Sequence, residues 1–412
     1  MTPLYNLAIS LYAGAARVAS LKSEKVRKMT SGHKESEAKV REAIDADDKK
    51  VMWVHAASLG EFEQGRPLIE RLREEHPEYK IVVTFFSPSG YEVRKNYDKA
   101  DAVVYLPFDT PKNAKRMIDA INPSIAVFVK YEFWGNYLNE LKKRNIPTYL
   151  ISGIFREGQA FFKPWGGEFR KMLDCFDHLY VQDEPSRKLL DGIGVENVTV
   201  AGDTRFDRVT QIMAQTVDMP EIEAVKRSCA GKFIVAGSTW QPDEALLLKL
   251  LDERKDVKMV IAPHVLEGNH VEEIMKKTGR KCTRLSELTM DNAEETDCVI
   301  VDCYGKLASI YRYGDIAYVG GGFGVGIHNI NEAAVYGVPV VFGPKYQKFK
   351  EARDLVERGG AFSISDEQEF DSVMHRLLDD DQALKSAGDV AGAYIKENIG
   401  ATDIIWRDIW RK

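Results

Sequence analysis

In "HAASLGEFEQG", residues 55–65, a glutamate follows the strand-like run "VMWVHA", so Glu61 falls on the rim of a sheet. A carboxylate there can take a proton from a substrate hydroxyl. The same Glu61 lies three residues after Ser58. That is the spacing of a helix capping box, in which the serine side chain bonds a backbone N–H and the glutamate reaches back. The local pattern leaves cap and catalyst both open.

The residues around Glu61 belong to a longer alternation. Short β-branched or aromatic runs at 51–56, 80–86, 102–108, 125–130, 147–152 and 178–182 are separated by helical stretches, and a second series follows at 233–238, 258–263, 298–303, 316–321, 339–343 and 361–365. Such alternation predicts βαβ units and mostly parallel sheets. The fold class expected is α/β with two Rossmann-like domains facing across a cleft. In such sheets ligands bind beyond the carboxyl ends of the strands. That rule selects Ser58–Glu61, Thr84–Gly90, Lys130–Trp134 with Glu132 among them, Gly237–Trp240 with Ser238 and Thr239, Pro263-His264, Gly305-Lys306, Gly320–Gly322 and Gly343-Pro344. His264, on a strand rim, is placed to touch a phosphate.

The run "VGGGFGVGIHNINEAAVYGVPVVFGP" (319–344) is the most informative. Glycines such as Gly321 and Gly322 let backbone approach a ligand, and a helix beginning near Asn329 would aim N–H groups at an anion. Glu332 on its first turn could accept hydrogen bonds from ribose hydroxyls. The plain alternative is a glycine-rich βα turn with an acidic first turn. "DDD" at 379–381 lies far from any strand end and fits a solvated acidic cap better than a metal cluster, so no metal is expected.

The expected division is an amphipathic anchor at 1–34, a first Rossmann-like domain at 35–210, a second at 211–390, and a final helix at 391–412 packing back on the first domain. With 412 residues, two domains are the natural expectation. A formal charge of −6, from 57 basic and 63 acidic residues, supplies no field for nucleic acid. Five cysteines without a C-x-x-C pair suggest neither disulfide framework nor zinc site, and point to a reducing cytosol.

The opening "MTPLYNLAISLYAGAA" carries no charged side chain before Arg17. It falls short of the roughly 20 residues of a spanning helix, and its positive charges follow the apolar run rather than precede it, unlike a signal peptide. Leu4, Leu7, Ala8, Leu11, Ala15 and Val18 share one helical face, and Lys22, Lys25, Arg27, Lys28 and Lys34 follow with Glu24 alone opposing them. This pattern suits an interfacial helix on an anionic leaflet. A first helix packed on its own domain is the alternative.

Taken together, "HAASLGEFEQGRPLIERL", "KYEFWGNYL", "AGDTRFDRV", "AGSTWQPDE" and "GGGFGVGIHNINEAAVYGVPVVFGP" resemble the 3-deoxy-D-manno-octulosonic-acid (Kdo) transferases, which add Kdo to the lipid A precursor. The resemblance spans nearly the whole chain. It implies a GT-B fold, CMP-Kdo as donor, inverting transfer without metal, and a peripheral or monotopic place on the cytoplasmic face of the inner membrane in lipopolysaccharide biosynthesis. By position it implies Glu61 as base, Glu132 and Arg205 as groups stabilising the transition state, and Pro263, His264, Gly305, Lys306, Leu307, Asn329, Ile330, Asn331 and Glu332 as CMP contacts; Ser238, Thr239, Gly321, Gly322 and His328 complete the expected donor site. Three departures stand out. Lys130 replaces a carboxylate, Arg205 replaces a lysine, and Pro263-His264-Val265 lacks the family's arginine.

Two rivals remain at this stage. One is another GT-B enzyme using a UDP-sugar, a transferase or a 2-epimerase. The other is a two-domain sugar-binding protein without chemistry; many such proteins are exported, and no signal peptide is seen.

Overall fold

The computed structural model describes residues 1–44, 49–266 and 268–410. They form two compact units, one of residues 1–208 with 399–412, the other of residues 209–398. The sequence expectation put these divisions after 210 and after 390.

In the first unit β1 (Val51–His55), β2 (Lys80–Phe85), β3 (Ala102–Tyr105), β4 (Ile125–Val129), β5 (Thr148–Gly153), β6 (His178–Val181) and β7 (Val198–Val200) pair in parallel in the order β3-β2-β1-β4-β5-β6-β7. In the second unit β8 (Phe233–Thr239), β9 (Lys258–Pro263), β10 (Cys282–Arg284), β11 (Cys298–Ile300), β12 (Ile316–Val319), β13 (Val340–Phe342) and β14 (Ala361–Ser363) pair in parallel in the order β10-β11-β9-β8-β12-β13-β14. Helices cover both faces of such a sheet, so its strands read as continuous apolar runs; all five residues of β1 are buried. The alternation in the sequence predicted twelve of these strands and missed β7 and β10. Both are three-residue edge strands, "VTV" and "CTR", too short to show a period.

Each sheet reverses its winding once, between β1 and β4 and between β8 and β12. These are the switch points at which open α/β sheets leave a crevice for ligands.

Helix α1 (Pro3–Ala19) and helix α2 (Glu24–Ile44) belong to the first unit. Helix α1 is tied down by its polar side. The Thr2 N–H donates to Glu168 Oε1 at 2.6 Å, Tyr5 Oη donates to Asp109 Oδ2 at 2.6 Å, and Asn6 Oδ1 accepts from Asn136 Nδ2 at 2.9 Å. Its apolar stripe faces away from the domain: Leu4, Leu7, Leu11 and Val18 are 56–76 % exposed, while only Ala13 and Ala16 are buried. Helix α1 thus packs on its own domain through its polar side and Ala13 and Ala16, and leaves its leucine stripe exposed. Among the described residues no helix is long and apolar enough to cross a membrane.

The closing helix, Ala401–Trp410, buries Ile405 and Trp406 in the same apolar cluster as Met52, Val54, Leu68 and Leu72. Asp207 fixes its start, accepting the Gly400 N–H at 2.6 Å and the Thr402 N–H at 2.7 Å.

Candidate functional site

Helix α3 (Leu59–Glu75) leaves the end of β1 with Glu61 in its first turn. Its buried face, Phe62, Gly65, Ile69 and Leu72, repeats at helical spacing, and Gly65 sits where a Cβ would lie 3.3 Å from Val129 and 3.4 Å from Val54. The helix is thereby clamped onto β1 and β4, which sets the height of Glu61 above the sheet edge. Glu61 Oε2 accepts the Ser58 N–H at 3.1 Å, the glutamate half of a capping box. Burial is the largest influence on its carboxyl and, with the charge of Glu132, raises it to about 7; Lys130 and the N–H groups of Ala57 and Ser58 pull the other way. The cap and a proton acceptor poised near neutrality are thus one residue.

Glu132 follows β4, beside β1 in the sheet, and is buried. Its Oε2 lies 2.6 Å from Trp134 Nε1 and 3.0 Å from His55 Nε2. His55 is fully buried, with Nδ1 2.8 Å from Thr84 Oγ1 and 3.1 Å from the Thr84 carbonyl oxygen. Trp53 Nε1 donates to Thr84 Oγ1 at 2.9 Å. When the Thr84 hydroxyl donates to Nδ1, Nε2 carries the ring proton and donates to Glu132, so the relay fixes the carboxylate with two N–H donors. Thr84 lies in a segment that the strand-end rule selects from the sequence, whereas His55 was missed as a member of the site. The signal was present in "VMWVHA", where a histidine ends an otherwise apolar buried strand.

Lys130, where the family pattern has a carboxylate, takes φ 66°, a left-handed conformation rare for a side-chain-bearing residue. Its charge counters the rise at Glu61. Arg205 is held by Asp203, which is buried: Nε and Nη2 lie 2.9 and 2.7 Å from Asp203 Oδ2, and the Arg205 N–H lies 3.0 Å from Oδ1. Gln64 Nε2 donates to the same Oδ1 at 2.9 Å. Though desolvation opposes it, Arg205 and these hydrogen bonds keep the Asp203 carboxyl below its usual range. Tyr131 lies within electrostatic reach of Glu61, Arg156, Arg205 and Asp183, and burial raises its hydroxyl. Glu61, Glu132 and Arg205, predicted from three separate motifs, therefore share one neighbourhood in the first unit.

In the second unit every expected donor-site residue ends or follows β8, β9, β11 or β12, contiguous strands whose carboxyl ends share one edge. Ser238 adopts φ 52° and Thr239 ends β8. Pro263 ends β9, and His264 forms a stack with Trp240 at 4.8 Å and His328 at 4.4 Å between ring centroids. Burial lowers the His328 imidazole to about 4, with His264 adding to the effect. Gly305, Lys306 and Leu307 lie past β11 at the start of the short helix Leu307–Ile310. Asn331 is fully buried with neither Nδ2 nor Oδ1 partnered among the described residues. Glu332 Oε1 accepts from Asn329 Nδ2 at 3.1 Å.

Two details differ from the expectation. The helix after the glycine run is a single turn, Asn331–Ala334, so it contributes little dipole. The glycines are required by the loops themselves: a Cβ on Gly320 would lie 2.3 Å from the Ser238 carbonyl oxygen, and one on Gly322 would lie 2.6 Å from Gly343 Cα. Asp243 secures this edge, accepting from Trp240 N–H at 2.9 Å, Gly321 N–H at 3.1 Å and Tyr318 Oη at 2.8 Å.

The three aspartates at 379–381 end one helix and begin the next; Asp379 pairs with Arg254, Asp381 with Lys232, and Asp380 caps Gln382 and Ala383. Among the described residues no group of three or more His, Cys, Asp or Glu side chains is arranged to hold a metal ion.

Two parallel seven-stranded Rossmann-like units with polar residues gathered at the switch points define a GT-B protein. Solved structures share this fold: UDP-GlcNAc 2-epimerase from Neisseria meningitidis bound to UDP-GlcNAc, 16 % identical with a TM-score of 0.60 over 88 % of this chain and 100 % of that one, and MurG from Acinetobacter baumannii, 13 % identical with a TM-score of 0.54 over 88 % and 99 %. Residues 27–208 match the family described as 3-Deoxy-D-manno-octulosonic-acid transferase (kdotransferase), and together with its relatives this match marks the chain as a glycosyltransferase. It is 28 % identical to 3-deoxy-D-manno-octulosonic acid transferase of Aquifex aeolicus over 85 % of its length and 93 % of the relative's. The corresponding Haemophilus influenzae protein is 26 % identical over 85 % and 84 %.

Proposed function

We propose that the protein transfers Kdo from CMP-Kdo to the tetraacylated lipid A precursor, with inversion at the anomeric carbon and without a metal ion. The observation that carries this reading is Glu61, a part-buried carboxyl with a pKa of about 7 at the end of β1, inside the segment that matches the family. In the proposed step the acceptor hydroxyl gives its proton to Glu61 as its oxygen bonds to the anomeric carbon, and the bond from that carbon to the CMP phosphate breaks with its electron pair passing to the phosphate. Arg205, aimed by Asp203, faces the Kdo carboxylate, and Glu132 shares the charge of the transition state. CMP is held by the second unit, its ribose hydroxyls on Glu332 and its phosphate among Ser238, Thr239, His264 and Lys306. The outward leucines of α1 support a peripheral seat on the cytoplasmic leaflet, on which this reading puts the acceptor.

Mass spectrometry of a tetraacylated lipid A precursor incubated with the protein, CTP, Kdo and a CMP-Kdo synthetase tests the reading. A mass increase by one or more Kdo residues, unchanged when EDTA is present after the CMP-Kdo has been formed and the synthetase removed, is expected; no product would overturn it. Thermal-shift titration with CMP against UDP tests the UDP-sugar alternative, which predicts stabilisation by UDP alone.

A further inference from the structure

Between α1, α2 and the helix Pro111–Ile121 lies a cavity of about 590 Å³ in the first unit. Four cations line it: Arg17, Arg27, Lys34 and Arg116. Arg116 is neutralised by Glu37, also in the lining, at 2.6 Å. Arg17, Arg27 and Lys34 have no ion-pair partner among the described residues, although 63 acidic residues are available in the chain. All three are exposed at its rim, and like charges lining one cavity make a positive local field that favours an anion there. Phe108 and the His33 ring, 4.8 Å apart edge to face, also line the cavity, and burial holds His33 at about 4, so it is neutral at pH 7.

The cavity sits at the C-terminal end of α1, whose helix and following residues turn Leu4, Leu7, Leu11, Val18 and Leu21 outward. An apolar stripe that enters acyl chains would leave Arg17 and the α2 cations at headgroup level, since the stripe runs on to Leu21 beyond the helix end.

We propose that this cavity binds the phosphate of an anionic lipid headgroup, its oxygens taken by Arg17, Arg27 and Lys34, so that the enzyme reads a headgroup rather than resting on a diffuse basic surface. The membrane as the source of that phosphate rests on the peripheral placement proposed above. The site itself does not depend on which sugar is transferred.

The test is vesicle co-sedimentation of the full-length protein with no sugar nucleotide present, so its failure leaves the Kdo reading untouched. Vesicles of phosphatidylcholine are compared with vesicles containing phosphatidic acid. Arg27→Gln with Lys34→Gln removes two cavity charges, and Lys22→Gln with Lys25→Gln removes two α2-region charges that do not line the cavity. The cavity variant is expected to lose roughly twentyfold or more in binding to phosphatidic acid vesicles, about fivefold per cation, and at least five times more than the control. Its melting temperature is expected to match wild type, because neither residue has an ion-pair partner to lose among the described residues. Equal losses in the two variants would overturn the cavity in favour of a diffuse basic surface. Calorimetric binding of inorganic phosphate that the cavity variant loses, together with unchanged vesicle binding, would overturn the lipid assignment.

Discussion

Burial and the neighbouring charge of Glu132 hold Glu61 at a pKa of about 7; Glu61 lies just past the end of β1 and Glu132 just past the end of β4, the adjacent strand in the sheet. Glu132 is itself fixed by His55 Nε2 at 3.0 Å and Trp134 Nε1 at 2.6 Å, so its charge stays where it acts on Glu61.

The first prediction separates cap from base. Glutamine can still accept the Ser58 N–H through its amide oxygen but cannot take a proton at neutral pH. Glu61→Gln is expected to fold, to bind CMP normally and to lose roughly 10²–10⁴-fold in turnover. Steady-state kinetics with calorimetry checks this, and retention of more than about a third of wild-type turnover, far outside that range, would remove Glu61 as base.

The second concerns pH. A base must be deprotonated to act, so kcat/KM is expected to rise with pH through about 7 in the wild type. Stability runs the opposite way. The folded pKa of Glu61 lies above the ordinary 4.5, so its contribution is fully present below 4.5 and is lost as pH climbs through about 7. Melting curves from pH 4.5 to 8 should show Glu61→Gln gaining on wild type across that window. Parallel curves would contradict the burial argument.

Lys130 and Glu132 act on Glu61 with opposite signs. Lys130→Gln is expected to move the acid limb of the pH–rate profile upward, and Glu132→Gln to move it downward while lowering kcat. Shifts of the same sign in both variants would show that the two charges do not govern Glu61.

For the donor, Glu332→Ala is expected to weaken CMP binding by about 1.5–3 kcal/mol, the range for a charge-assisted hydrogen bond. Melting without ligand should change little, since the group is part-exposed in a one-turn helix. Unchanged CMP affinity by calorimetry would take Glu332 out of the donor site.

For the membrane, Leu4→Ser, Leu7→Ser and Leu11→Ser together should release the protein from vesicles and leave its melting temperature within a degree or two of wild type. All three side chains already face outward, so their loss removes nothing from the core. A large fall in melting temperature would show instead that these leucines support the fold.

The sequence by itself determined the two parallel sheets, because strands buried on both faces read as apolar runs between helical patterns. It also located Glu61, Glu132 and the donor loops at strand ends, because the carboxyl edge of a parallel sheet follows from strand order in the chain; Arg205 came only from the family resemblance, since β7 ahead of it was not read as a strand. The charge state of Glu61 was not legible there. It depends on burial and on Glu132, 71 residues away in sequence but on the adjacent strand end. His55 joined the site only through contacts 29 and 77 residues distant. Gly320 and Gly322 read as openings for a ligand until the folded loops showed them packed on Ser238 and Gly343. The face of α1 is the plainest case. An amphipathic period reports that one stripe is apolar, and it is identical whether that stripe points inward or outward; only the anchoring of Thr2, Tyr5 and Asn6 to the domain decided that the leucines face away from it.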